Sequence, residues 1–224
     1  MKLLCTNGVK TLMLDLLPEF ERTHGKIDVV WGPAAALMKD VDGGTKCDLV
    51  ILTAEAIDDL VKQGRAAAGS RVDIASSGIG IAVRKGAAKP DIGTPDALKR
   101  TLLAAKSVAH SKSGMSGIYF PTVLERLGIA DAMKGKMVIP QVPTPIGDVV
   151  AGGDAELGVQ QISELMPVAG VEIVGPLPAS LQRVTIFSAG LMAAATDADT
   201  ARALVQFVAE RSPPLLAAKG LSPP

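Results

Sequence analysis

Short apolar runs alternate along the chain with longer stretches in which apolar residues recur every three or four positions. Residues 2–5 predict a strand, after which Leu12, Leu16, Leu17 and Phe20 follow at helical spacing until His24-Gly25 ends the helix. Residues 27–31 predict a second strand and 34–41 a short helix. Residues 49–52 predict a buried strand, and Thr53 is placed to cap a helix that runs to Val61 and is stopped by Gly64. This β-α-β-α-β-α order predicts a mostly parallel sheet with helices on both faces. Sheets of that kind bind ligands at the carboxyl ends of their strands.

The pattern changes over residues 72–84, where Ile79, Ile81 and Val83 alternate with Gly80, Ala82 and Arg84 in one long extended stretch. A second set of units follows: helix 94–104, strand 107–110, helix 116–127, strand 137–140, helix 145–151, strand 155–159, helix 162–166 and strand 171–174. A second long extended stretch, 183–192, then leads to a final helix over 196–210. That helix is opened by Thr196-Asp197-Ala198-Asp199, turns Ala203, Leu204, Phe207 and Val208 inward, and is followed by a Pro-containing tail. Two long extended stretches predict that the chain crosses twice between two α/β lobes. Lobe I takes residues 1–78 and 190–224, and lobe II takes 79–189.

Composition narrows the chemistry. Of 224 residues 48% are hydrophobic, enough for a sizeable core, and 23 Lys and Arg balance 23 Asp and Glu. Without a basic excess, nucleic acid and anionic lipid are not expected partners, and an aromatic content of 3% argues against a base-stacking surface. No run approaches the ~18 apolar residues of a membrane helix, so no membrane insertion is expected. The strand pattern begins at residue 2 with no export signal, which points to the cytoplasm, or to the periplasm if a signal has been removed.

Cys5 and Cys47 have neither CxxC spacing nor histidines nearby, so they read as small buried hydrophobes, with no disulfide and no metal site. Met133, Met137 and Met166 read as packing residues. Asp58-Asp59 reads as a solvated helix face with no complementary cluster, and His24 as the exposed end of a helix.

The most informative segment runs from Val108 to Phe120, a strand entering a hydroxyl-rich turn and then a helix. In it Ser113, Gly114, Met115, Ser116 and Gly117 combine helix-terminal amides, serine hydroxyls and glycines that allow close approach, a cradle for a small oxyanion or carboxylate. An ordinary serine-capped turn is the plainer alternative. The chain holds neither GxxxxGKS/T nor GxGxxG, so no nucleotide and no cofactor is expected. The other strand ends add Thr6 and Asn7, then Gly32, Pro33 and Ala34, then Thr53, then Pro143, Thr144 and Pro145, and last Gln160 and Gln161. These loops offer neutral hydrogen-bond donors rather than acid-base pairs, which favours binding over hydrolysis.

Together these stretches resemble the molybdate-binding-like branch of the type 2 periplasmic substrate-binding proteins. The resemblance is carried by Cys5-Thr6-Asn7, Phe20-Glu21, residues 32–38, Cys47-Asp48-Leu49-Val50-Ile51, residues 113–119 and residues 152–159. It implies a two-lobed α/β fold of mixed, mostly parallel sheets that closes over a small anionic ligand. It also implies an ABC permease as partner if the protein is exported. Molybdate binders of this branch usually place serine hydroxyls in the first two loops and a tyrosine after the late Gly-containing strand. Here those places hold Thr6-Asn7, Gly32-Pro33-Ala34 and Gln161, a donor set suited to organic acids. The same branch includes aconitate isomerase, which implies an alternative: cofactor-independent isomerisation of a small unsaturated polycarboxylate. That reaction needs a group to remove and return a proton, for which His110 and Lys112 lie in the right loop. The plainer readings are a locally hydrogen-bonded strand-end histidine and a solvated or charge-complementing lysine.

Overall fold

The computed structural model describes residues 1–141 and 144–224. The chain divides into two units, Met1–Ser77 with Thr185–Pro224, and Gly78–Val184.

In the first unit β1 (Lys2–Thr6) lies between β2 (Asp28–Gly32) and β3 (Leu49–Thr53), parallel to both. The chain passes between them through α1 (Lys10–His24) and α2 (Ala34–Asp42). α3 (Ala54–Lys62) leads on to β4 (Val72–Arg84), which carries the chain into the second unit, and β9 (Val184–Leu191) returns it antiparallel to β3. The run Leu49 to Thr53 lacks polar alternation because both of its faces are buried. Leu49 and Ile51 pack with Leu3 of β1, with Leu12, Leu16 and Phe20 of α1 and with Leu204 and Val208 of α9 (Ala198–Arg211). Val50 and Leu52 pack on the other face with Leu37 of α2 and Ile57 and Leu60 of α3.

Polar side chains fix the ends of these elements. Thr53 Oγ1 accepts from Ala56 N at 3.3 Å and caps α3. Asp48 is buried just before β3, and its carboxylate accepts from Lys2 N at 2.7 Å, Thr196 N at 2.7 Å, Thr196 Oγ1 at 3.0 Å and Asp197 N at 3.0 Å. Burial alone would raise its pKa, but these four donors favour the anion and hold it below the ordinary value.

One sequence reading is corrected here. Asp58 does have a complementary partner, because Arg71 Nη1 lies 2.8 and 2.7 Å from its two oxygens, and Asp59 pairs with Lys62 at 3.5 Å. The C-terminal tail packs back on this unit, where Leu216 and Leu221 are buried in the α1/α9 core. Ser222 and Ser76 exchange backbone hydrogen bonds of 2.8 and 2.9 Å. The apolar residues after Pro213-Pro214 are too few to show a helical period, so pattern alone could not place them.

In the second unit the later half of β4 pairs antiparallel with β7 (Leu157–Gln161) on one side and β8 (Val171–Pro176) on the other. β5 (Val108–His110) is parallel to β7 and to β6 (Met137–Val138). One face of this sheet packs Ile79, Ile81, Val108 and Val159 against α4 (Pro95–Ala104), α5 (Met115–Arg126) and the short α6 (Ala130–Met133). The other holds Ala109 against Val149 and Val150 of α7 (Ile146–Gly152), which precedes β7, and α8 (Ile162–Leu165) follows that strand.

β7 runs two residues later than the sequence pattern placed it. Gly153, at φ 89°, ends α7 in the left-handed region, and Asp154 N closes the turn on Val149 O at 3.0 Å, so Ala155 still belongs to the turn. Gln160 and Gln161 are therefore strand residues, not a loop beyond the strand.

Candidate functional site

In the first unit the predicted residues collect at the carboxyl edge of the parallel strands. Thr6 ends β1 directly opposite Gly32, which ends β2. Thr6 is buried, and half-buried Asn7 opens a single 3-10 turn over Asn7–Val9. Pro33 caps α2: its carbonyl accepts from Ala36 N at 2.9 Å and Leu37 N at 3.1 Å, and Ala34 begins the helix. At Gly8 a Cβ would fall 2.3 Å from Phe187 Cζ, so the loop after β1 requires glycine there. Sequence reasoning missed two neighbours on these elements. Trp31 lies one residue before Gly32 on β2, and Lys10, at the start of α1, places Nζ 5.6 Å from the Trp31 ring centroid.

In the second unit β5, β6 and β7 end at a common edge, and the segment after β5 folds tightly back on α5. Ser111 Oγ accepts from Gly114 N at 3.2 Å, and Ser111 O is bound by His110 Nδ1 at 3.0 Å. A carbonyl only accepts, so Nδ1 carries the proton of a neutral ring. A Cβ on Gly117 would lie 1.8 Å from Ser111 O, and one on Gly114 2.7 Å from Ser111 Oγ. These two glycines therefore permit the loop to close, and Ser111, which sequence reasoning left out of the binding set, is what it closes on. Ser116 and Gly117 are buried, Ser113, Gly114 and Met115 half-buried, and Lys112 exposed.

His110 is buried against Phe120, with ring centroids 5.7 Å apart. Burial lowers its pKa and outweighs the hydrogen bonds to Ser111 and Gly117 that favour the charged form. The imidazole is thus neutral near pH 7 and holds the loop backbone.

Gln160 and Gln161 are both buried, and Gln161 stands opposite Ile79 of β4. Gln160 Nε2 donates to Glu164 Oε2 at 2.9 Å, linking β7 to α8. Glu164 is the second residue that sequence reasoning missed in this unit: burial pushes its carboxyl up to about 7, against the opposing effect of the Gln160 donor. Nothing in the sequence separates such an acid from a solvated one except its place four residues after a strand-end glutamine. Thr144 is exposed, with its N donating to Gln141 O at 2.9 Å, while Pro143 lies outside the described residues.

Within each unit, then, the parallel-strand ends present amides, hydroxyls and carboxamides, and the second unit adds a neutral imidazole and a perturbed carboxyl. Among the described residues no three His, Cys, Asp or Glu side chains group as metal ligands. Such a donor set holds an anion by hydrogen bonds.

Residues 1–219 match the family described as bacterial extracellular solute-binding protein. The chain is 36% identical over 217 residues to aconitate isomerase from Pseudomonas sp, covering 93% of this chain and 81% of that protein. It is 27% identical over 155 residues to the molybdate-binding protein ModA of Azotobacter vinelandii, covering 68% of this chain and 61% of that one. The solved periplasmic molybdate-binding protein of Azotobacter vinelandii aligns with a TM-score of 0.79 at 19% identity, covering 100% of this chain and 99% of that chain. The fold is the mixed α/β fold of the periplasmic substrate-binding proteins, and the chain belongs to the bacterial extracellular solute-binding protein family, on the branch that includes molybdate-binding proteins and aconitate isomerase.

Proposed function

We propose that this protein is a receptor for a small oxyanion or carboxylate, built from two lobes, residues 1–78 with 190–224 and residues 79–189. The binding groups come from Thr6-Asn7, Gly32 to Ala34, Ser113 to Gly117, Thr144 and Gln160-Gln161. The observation that carries this reading is the closed loop from Ser111 to Gly117. There two glycines with no room for a Cβ bring backbone amides and serine hydroxyls to the end of a buried strand. Asn7 and Gln161 stand where molybdate binders of the branch place hydroxyls, and a carboxamide reaches further than a hydroxyl and offers two donors. That favours a planar carboxylate over a tetrahedral oxyanion. A membrane permease of an ABC transporter is the macromolecular partner this role implies.

A second reading, isomerisation of a small unsaturated polycarboxylate, is favoured by the relative at 36% identity, an aconitate isomerase. In that reaction a proton leaves carbon next to the double bond and returns at the other end of the allylic system, with no cofactor required.

One experiment ranks the two. A thermal-shift panel of molybdate, tungstate, phosphate, sulfate, citrate and both aconitates identifies the ligand, because a ligand of the native state raises the apparent Tm. The protein is then incubated with trans-aconitate in heavy water and followed by NMR. Stoichiometric binding without cis-aconitate formation or deuterium exchange supports the receptor. Turnover supports the isomerase, and no stabilisation by any anion removes both.

A further inference from the structure

Side chains on β7 alternate between the two faces of its sheet. A Cβ on Gly158 would meet Val150 and Ile146 of α7, so Gln160, two residues on, points to that same side. There its Nε2 donates to Glu164 Oε2 at 2.9 Å, while its Oε1 is buried with no hydrogen-bond partner among the described residues. A buried acceptor of this kind calls for a group to answer it. It lies near the carboxyl end of β7, one residue past the pair formed by His110 and Val159.

The two ends of a carboxamide have the same shape and opposite polarity. An ionised Glu164 only accepts, so it faces Nε2 and leaves Oε1 in the unpaired position. A protonated Glu164 donates from its O–H to Oε1, and the amide then turns so that its NH2 takes that position. The group on offer changes from acceptor to donor, and the negative charge of half-buried Glu164 disappears in the same step. Both changes favour an anion.

We propose that Gln160 and Glu164 form an amide switch through which an anion bound at the strand ends of the second unit is taken up together with one proton. The proposal rests on the anion-site reading above. The elements packed on α8 are β7, β8 and α7. β7 carries no titratable side chain, Glu172 of β8 is turned to Lys89 at 3.3 Å and to Gly86 N, and Asp148 of α7 is exposed. Gln160 is thus the polar partner of the carboxyl, and the rise of Glu164 to about 7 puts its titration where the coupling would be felt.

The test is calorimetric titration with molybdate, citrate and trans-aconitate as probes, at pH 7 in two buffers of different ionisation enthalpy. The wild type takes up roughly half a proton per anion bound at pH 7, and Kd weakens about tenfold per pH unit above it. Glu164→Gln takes up none, and its Kd is flat from pH 6 to 8. Anion binding with no proton uptake in the wild type, or uptake unchanged in Glu164→Gln, overturns the switch and leaves the anion site standing. Absence of binding by all three probes overturns the site reading and the coupling with it. In the ligand-free wild type, carboxyl 13C and side-chain 15N NMR check the switch alone. The Gln160 amide signals must move with the Glu164 titration, and if they stay fixed the switch is wrong whatever binds.

Discussion

Replacing Gly117 by Ala separates a structural claim about the Ser111 loop from helix propensity, because the two predict opposite signs. In an open position within α5 the substitution would stabilise the helix by about 1 kcal/mol. Here the new methyl would lie 1.8 Å from Ser111 O and 2.5 Å from Ser111 Oγ. A relaxed carbon–oxygen contact is about 3.3 Å, so the backbone at Ser111 has to retreat by roughly 1.5 Å. That movement pulls the carbonyl away from His110 Nδ1 and the hydroxyl away from Gly114 N. Overpacking of this kind costs about 1–3 kcal/mol, leaving a net destabilisation of up to about 2 kcal/mol after the propensity gain, or up to roughly 8 °C in Tm for a chain of this size. Binding suffers more, since a displacement of about 1 Å in a positioned group costs on the order of a hundredfold. The assays are calorimetric unfolding and titration with the best anion of the panel. An alanine variant that melts above the wild type, or binds with unchanged Kd, refutes the closed loop as the binding element.

Three further predictions rest on other parts of the molecule. Asp48→Asn turns one of two accepting oxygens into a donor facing Lys2 N or Thr196, and should lower stability by about 2–4 kcal/mol in denaturant titrations. Since the native carboxyl titrates below its unfolded value, its contribution is present above about pH 4 and fades as the pH falls through the native pKa. The gap between wild type and variant therefore narrows in acid, and a constant gap would contradict the assigned hydrogen bonds. Glu164 has the opposite sign: its carboxyl is raised from 4.5 to about 7, so the wild type loses stability as pH rises across that interval. Glu164→Gln should flatten the profile between those values, and an unchanged profile would mean that the group is solvated. Trp31 is the only tryptophan and precedes Gly32 on β2, so its fluorescence should respond to ligand, with the response altered in Lys10→Met. A silent Trp31 at saturating ligand would place the ligand away from the end of β2.

The elements that pattern alone located are those whose burial is regular. The unbroken run of β3 and the period of α1 and α9 were legible because apolar side chains face a core at each expected turn or pleat. The errors fall where polar groups are buried or apolar groups are sparse. β7 was placed two residues early because its last inward positions are glutamines, and a buried amide carries the pattern of a loop. The pattern assigns no element to the tail because Leu216 and Leu221 have no periodic companions. At the site, the glycines and serines after β5 stood out as residue types, but their purpose did not. Only the 1.8 Å approach shows that Gly117 serves the fold of the loop.

The choice between a tetrahedral oxyanion and a polycarboxylate turns on charge. Neutral donors are adequate for an anion that sheds its water to many converging amides. A trianion such as aconitate gains more from cations and loses more beside an ionised acid, since like charges in a poorly hydrated site repel strongly. The chain supplies two lysines beside the strand ends, Lys10 at the start of α1 and Lys112 on the exposed crown of the loop after β5. It also supplies one acid poised to lose its charge, Glu164. Neutralising Lys10 and Lys112 together should weaken trans-aconitate far more than molybdate, and the difference should shrink in 0.5 M salt as the charges are screened. Equal losses for both anions would instead assign the lysines to the fold and return the selectivity to the amides of Asn7 and Gln161.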